Sequence, residues 1–278
     1  MSKTKLVLLG TGTPNCDPNR YQNASAIIIN DQPYIIDCGG GTIQRISEAE
    51  SRGIAELNDS KLTRLFLTHL HPDHVVGLGD FIIAPWVKTR VDPVQIYGPV
   101  GTRNMVEHLL RAFQIGIGEH QNGLAALDAP LEVEVYEFEE GFVYEDGNVY
   151  VESFRVEHGS LDAFGLRFVT EDKTIVHSGD TRALPIMAQA AKGADILIHE
   201  VYCKASLDMR DPRWQRYHST AHTSTIELAE IANKAQPGLL ILNHSMTWGL
   251  QTEETMLKEI TDLYNGRVVL GNDLDVFE

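Results

Sequence analysis

Apolar and β-branched positions fall first into short runs. Residues 6–9, 26–29 and 34–37 are such runs, bounded by Gly, Asn and Pro as strands are. Residues 42–52 carry a helical pattern. A strand follows at 64–68 and ends in His69, and a helix is predicted from His74 towards Ile83, with Pro85 ending or kinking it. Residues 94–97 read as a strand, and 102–113 as an amphipathic helix with Met105, Leu109, Leu110 and Phe113 on one side. Residues 116–130 lack a period and read as a loop, a candidate lid. Runs at 132–138, 149–156, 164–169 and 174–177 predict a meander, with turns at Asp146-Gly147 and Glu171-Asp172-Lys173. Further strands at 196–199, 239–242 and 268–270 alternate with helices at 184–192, 223–235 and 253–264. Two mixed halves with no linker predict one layered α/β domain over residues 1–278.

Composition narrows the classes. Hydrophobic residues make up 43% of the 278, too many for a disordered chain. Lys and Arg number 23 against 39 Asp and Glu, a formal charge of −16. That excess argues against a protein whose main task is gripping nucleic acid, which leaves a basic footprint. No apolar stretch approaches the roughly 20 residues of a membrane helix, so no membrane partner is expected. The first apolar run is too short for a secretory signal. Cys16, Cys38 and Cys203 are few, odd in number and far apart, so neither a disulfide framework nor a CxxC metal knuckle is expected. A cytoplasmic setting follows from that usage.

Eleven histidines change the picture, because several cluster. The segment His69-Leu70-His71-Pro72-Asp73-His74 packs four potential metal ligands into six residues directly after an apolar strand. Strand alternation puts His69 and His71 on one side. Pro72 can turn the chain so that Asp73 and His74 face a second ion. Imidazole and carboxylate are normal zinc ligands. Three further candidates follow predicted strands: His158, Asp180 and His244. Each alone is an ordinary polar loop residue. Together they complete a count, with His69, His71 and His158 on one ion, Asp73, His74 and His244 on the other, and Asp180 bridging. Two ions sharing a water generate hydroxide near neutral pH and clamp the oxygens of a displacement.

These motifs, with others, carry a resemblance. Leu9-Gly10-Thr11-Gly12-Thr13-Pro14, Asn23-Ala24-Ser25, the stretch from Asp37 to Arg45, Ser178-Gly179-Asp180-Thr181-Arg182, His199-Glu200-Val201 and His222-Thr223-Ser224 accompany the histidine motif. Over nearly its whole length the chain resembles the metallo-β-lactamase-fold hydrolases. Within them it resembles the ribonuclease Z (tRNA 3′-processing endonuclease), phosphodiesterase and arylsulfatase-like branch. The resemblance implies a four-layer αββα sandwich, a homodimer, and a catalytic role for His222 supported by Glu200. Asp73 counts with the catalytic residues as well as with the ligands. A histidine whose basicity a carboxylate raises can protonate a departing oxygen. His218, four residues earlier, is the rival for that role, and spacing favours His222.

One departure bears on substrate. Ribonuclease Z enzymes of the usual bacterial type insert a long tRNA-holding arm between the third metal His and the bridging Asp. Here His158 and Asp180 are 22 residues apart, filled by a hairpin-like pattern. The expected protein is therefore a metallohydrolase with two divalent ions, zinc first, manganese or iron also suiting the donors. It cleaves a phosphodiester in a small anionic ester or nucleotide in preference to a long RNA. The alternatives are an arylsulfatase, a lactonase or β-lactamase, a tRNA 3′-endonuclease, and a non-catalytic metal-binding module. Arg210, Arg213 and Arg216, around Trp214, form the compact basic-aromatic group of the sequence, either a contact for a substrate anion or a solvated loop.

Overall fold

The computed structural model describes residues 3–278; Met1 and Ser2, which the expected domain includes, lie outside the described residues. In chain order the strands are β1 Thr4–Gly10, β2 Ala24–Ile29, β3 Gln32–Ile36, β4 Arg64–Phe66, β5 Val94–Gly98, β6 Val133–Glu137 and β7 Gly141–Glu145, then β8 Val149–His158, β9 Leu161–Thr170, β10 Thr174–His177, β11 Ile196–Tyr202, β12 Leu239–Met246, β13 Val268–Leu270 and β14 Val276–Phe277. The helices are α1 Thr42–Ser51, α2 Pro72–Val75, α3 Leu78–Lys88, α4 Thr102–Ala112, α5 Gln114–Asn122, α6 Pro185–Ala190, α7 Lys204–Asp208, α8 Pro212–Ala221, α9 Thr225–Ala235 and α10 Glu253–Thr261. The chain divides into two compact units. The first holds the start of the chain to Gly10, Pro14–Phe138 and Asp273–Glu278; the second holds Thr11–Thr13 and Glu139–Asn272.

The first unit is built on a sheet in the order β14-β1-β2-β3-β4-β5-β6. Pairing is antiparallel from β14 to β3 and parallel from β3 to β6. Parallel neighbours need crossovers, which α1, α3 and the α4–α5 pair supply. Every residue of β2 is buried, which explains why its sequence reads as a continuous apolar run and not as an alternation. Val7, Ile28, Ile35, Leu65 and Ile96 pack with Ile46, Leu78, Phe81 and Ile82 in one core.

Two expectations fail here. Pro85 does not end the helix; α3 continues to Lys88. Proline removes the N–H that would bond the carbonyl of Phe81. The guanidinium of Arg90, 2% exposed, supplies the replacement: it donates to the carbonyls of Phe81 (3.2 Å), Ile82 (2.5 Å) and Leu62 (3.1 Å). The stretch read as a loop from 116 is helical as far as Asn122. Ile117 is the buried residue of α5, so no apolar period announced it.

The second unit carries a sheet in the order β13-β12-β11-β10-β9-β8-β7. Here β10 to β13 are parallel and β7 to β10 antiparallel. The expected meander is corrected at its start. β6 pairs in parallel with β5 in the first unit, and the missed strand β7 takes its place. β8 and β9 pair along ten residues each, and β9 with β10 fills the chain between His158 and Asp180. Leu197, Leu240 and Leu242 pack against Leu228, Ala232, Met256 and Ile260 of α9 and α10. A reciprocal pair of hydrogen bonds between Ser224 and Glu227 starts α9.

β12 does not stop at Leu242 as its apolar run suggests. Opposite it, Glu200 pairs with Asn243 and Val201 with Ser245, so His244 is the extra residue of a bulge, at φ 46°. A bulge re-aims a side chain without ending the strand. α7 and α8 were also absent from the sequence reading. α8 is polar, with His218 and Ala221 as its buried residues, and its start is marked by Asp211 capping the N–H of Arg213 ahead of Pro212.

Candidate metal centre

In the first unit the donors gather at the carboxyl ends of the parallel strands β3 and β4. β4 ends at Phe66, so His69 and His71 stand on the loop beyond it and strand alternation is not what orients them. The ladder persists for one residue, Leu67 N–H to the Tyr97 carbonyl, and then Thr68 N–H turns to Asp37 Oδ1 at 2.8 Å. Thr68 Oγ1 also donates to Asp37, at 2.9 Å to Oδ2. His74, in the first turn of α2, donates from Nδ1 to Asp37 Oδ2 at 2.7 Å, and the Asn23 amide reaches the same oxygen at 3.3 Å. Asp37 is fully buried, at φ 59° directly after β3. Its carboxylate claims Nδ1, which turns the lone pair of His74 Nε2 outward as a ligand. The His69 ring lies 4.1 Å from that of His74 and 5.0 Å from that of His71, and Asp73 Oδ2 is 3.6 Å from His74 Nε2. Within this unit His69, His71, Asp73 and His74 are thus brought together. Asp37 is a site residue that sequence reasoning missed; the signal was its place at the head of the Asp-Cys-Gly stretch already singled out.

In the second unit the donors also cluster where β8, β10, β11 and β12 end. His158 closes β8 and donates Nδ1–H to the Ala221 carbonyl at 2.8 Å, leaving Nε2 as the lone-pair atom. Asp180 Oδ2 lies 3.8 Å from His158 Nε2 and 3.5 Å from His244 Nε2. One carboxylate oxygen therefore faces two imidazole nitrogens. Ligand atoms of Asp180, His222 and His244 all lie within 4.8 Å of one another, a group able to hold a metal ion. The imidazole and carboxylate donors in both units suit zinc or a similar divalent ion.

Glu200 sits on β11 and His222 caps the end of α8. Glu200 Oε1 is 3.2 Å from His222 Nδ1 and accepts the N–H groups of Thr181 and Thr223, each at 3.1 Å. Burial, and then the charge of Asp180, pushes the Glu200 carboxyl well above the usual carboxylate range. His158 is held below its ordinary value by burial. His199, next to Glu200, donates Nδ1–H to the Glu200 carbonyl at 2.6 Å, and burial lowers it to about 4. His218 is different again: burial, with His222 next, lowers it to about 3, and its Nδ1 has no hydrogen-bond partner among the described residues.

A protein-family model described as "Anti-Pycsar protein Apyc1" matches residues 4–262. The chain belongs to that family. Ribonuclease Z of Mycobacterium marinum is 31% identical over 275 residues, 97% of this chain and 96% of its own length, so the Apyc1-family chain is a relative of ribonuclease Z as its motifs imply. Two solved structures match along 99% of the chain: the metallo-β-lactamase fold protein YhfI of Bacillus subtilis (TM-score 0.76, 17% identity, 99% of its length) and the short form of human tRNase Z (TM-score 0.71, 22% identity, 98% of its length). The Apyc1-family chain thus has the metallo-β-lactamase fold, the sandwich class expected of it. Among the described residues no helix is long and apolar enough to cross a membrane.

Proposed function

We propose that this ribonuclease Z-like metallohydrolase is a dinuclear phosphodiesterase whose substrate is a small anionic ester or nucleotide. His69, His71 and His158 hold one ion, Asp73, His74 and His244 the other, and Asp180 bridges; residues 1–278 work as a single domain. The observation that carries the reading is Asp180 Oδ2 facing His158 Nε2 and His244 Nε2 in the unit that also pairs His222 with Glu200. Divalent ions, zinc first, supply an activated water and neutralise the phosphoryl oxygens when bound.

The chain's own residues do the proton work. Glu200 Oε1, anchored by two backbone N–H groups, holds His222 by Nδ1 and leaves Nε2 to face the substrate. A protonated His222 donates from Nε2 to the departing oxygen, and Glu200 Oε1, accepting from Nδ1–H, keeps the ring in the orientation that does so. His218 has no carboxylate partner among the described residues, which supports His222 for this role. Asp73 remains with the catalytic group as a ligand carboxylate. The protein is proposed to work as a cytoplasmic homodimer.

Two substitutions test the assignment. Asp180→Ala removes hydrolysis of bis-p-nitrophenyl phosphate and lowers bound metal measured by plasma mass spectrometry; retention of both sinks the ligand set. His222→Ala keeps the metal and slows turnover about 100-fold or more on an ester with a poor leaving group, less on p-nitrophenolate. A second reading, tRNA 3′-end cleavage, is favoured by the identity to mycobacterial ribonuclease Z along almost the whole chain. Cleavage of a precursor tRNA at a rate above that on mononucleotide diesters would establish it.

A further inference from the structure

The basic-aromatic group of residues 210–217 has no part in the mechanism above. On α8, Trp214 and His218 stand at i, i+4 positions and share one ridge, and His222, the extended residue that caps the helix, continues it by ring contact. Exposure falls along that ridge from 41% at Trp214 to 7% at His218 and 5% at His222. The rings touch in sequence: Trp214 to His218 at 6.0 Å and His218 to His222 at 5.4 Å between centroids. Tyr217, 42% exposed, stands beside the ridge, 5.0 Å from His218 and 6.2 Å from His222. An exposed aromatic surface therefore runs directly down to the proposed proton donor.

Two further features show that this surface is built. Trp248 packs 4.6 Å from His218 and is held at φ 51°, a left-handed conformation that a bulky residue adopts only when its surroundings impose it. The Arg210 guanidinium lies over Trp248 at 4.4 Å and over Trp214 at 5.2 Å, bracing both indoles. Arg213 lies over Trp214 at 5.6 Å and Arg216 is exposed one turn along. Among the described residues none of these three guanidiniums pairs with a carboxylate, in a chain of charge −16 where Arg45, Arg52, Arg155, Arg167 and Arg182 all do. Unpaired cations beside exposed rings fit a ligand that is planar at one end and anionic at the other.

We propose that Trp214 and Tyr217, braced by Arg210 and flanked by Arg213 and Arg216, form a specificity shelf that stacks the planar ring of the substrate and so delivers its ester oxygen to His222. The shelf rests on the phosphodiesterase reading for its purpose, and on its own geometry for its binding. It selects esters carrying a nucleobase or similar ring over aliphatic ones.

The test uses two p-nitrophenyl phosphodiesters, one of thymidine through its 5′ oxygen and one of methanol, with identical leaving groups. The metal-loaded protein is expected to prefer the thymidine ester. Trp214→Ala and Tyr217→Ala together are expected to collapse the ratio of the two kcat/KM values about ten-fold or more, with KM rising for the thymidine ester. Trp214→Phe with Tyr217→Phe restores the ratio, since any ring can stack. Calorimetric binding of thymidine 5′-monophosphate against ribose 5-phosphate gives the same comparison without turnover. If neither ester is cleaved but the nucleotide binds the wild type better than the double alanine variant, the phosphodiesterase reading fails and the shelf stands. Equal slowing on both esters with an unchanged ratio, or equal binding of both phosphates by the wild type, overturns the shelf.

Discussion

Asp37 illustrates how a single carboxylate can organise a site without touching substrate. It takes hydrogen bonds from Thr68, His74 and Asn23, and it is fully buried. Asp37→Asn keeps the shape but presents an NH2 where His74 donates. His74 must then flip its tautomer and turn an N–H, not a lone pair, outward. Metal affinity is expected to fall about 10- to 100-fold, with activity falling in parallel and partly recovering in excess metal. A competitive metal-chelator titration reads the affinity directly. Asp37 was legible as a motif residue. Its partnership with His74, 37 positions on, was not, because only the packing of β3 beside β4 brings the two together.

At the scale of elements, α3 depends on a residue outside it. Arg90 satisfies carbonyls that Pro85 and the neighbouring turn leave open, and although burial lowers its pKa to about 10 it remains a cation at neutral pH. Arg90→Met is expected to cost about 2–4 kcal/mol in urea unfolding, because buried carbonyls lose their donors. Pro85→Ala in the same chain returns an N–H to the Phe81 carbonyl and is expected to recover part of that loss, a coupling that a double-mutant cycle measures. Periodicity marked α1, α9 and α10 well, since each buries an apolar stripe, whereas on α4 the expected Met105, Leu109 and Leu110 are half-buried against the core and Phe113, just past its end, is exposed. It missed α5 and α8, which bury little, and it ended β12 early, because a bulge at His244 breaks the apolar run while the pairing continues.

At the scale of the whole molecule, the net charge of −16 is a cost that bound cations offset. Both units hold buried donors: His69, Asp73 and His74 in the first, His158, Asp180 and His244 in the second. A divalent ion binding the folded chain stabilises it by mass action. Chelation is therefore expected to lower Tm by several degrees, and re-addition of zinc to restore it; a Tm unchanged by chelation would count against a resident metal in the purified protein. Asp180→Ala should remove most of that metal-dependent increment.

The sequence alone determined the local chemistry. Four ligands in six residues, the Ser-Gly-Asp-Thr-Arg and His-Glu stretches, and the strand runs are short-range facts, because ligand type and burial period are written residue by residue. Tertiary structure decided the partnerships. Nothing local says that Glu200 meets His222 across 22 residues, or that Asp180 turns one oxygen to both His158 and His244. Nor does it say that Arg90 reaches back nine residues to the Phe81 carbonyl that Pro85 leaves without an N–H. Those pairings depend on which strands lie side by side, and strand order is set by the packing of whole faces and not by the residues that finally touch.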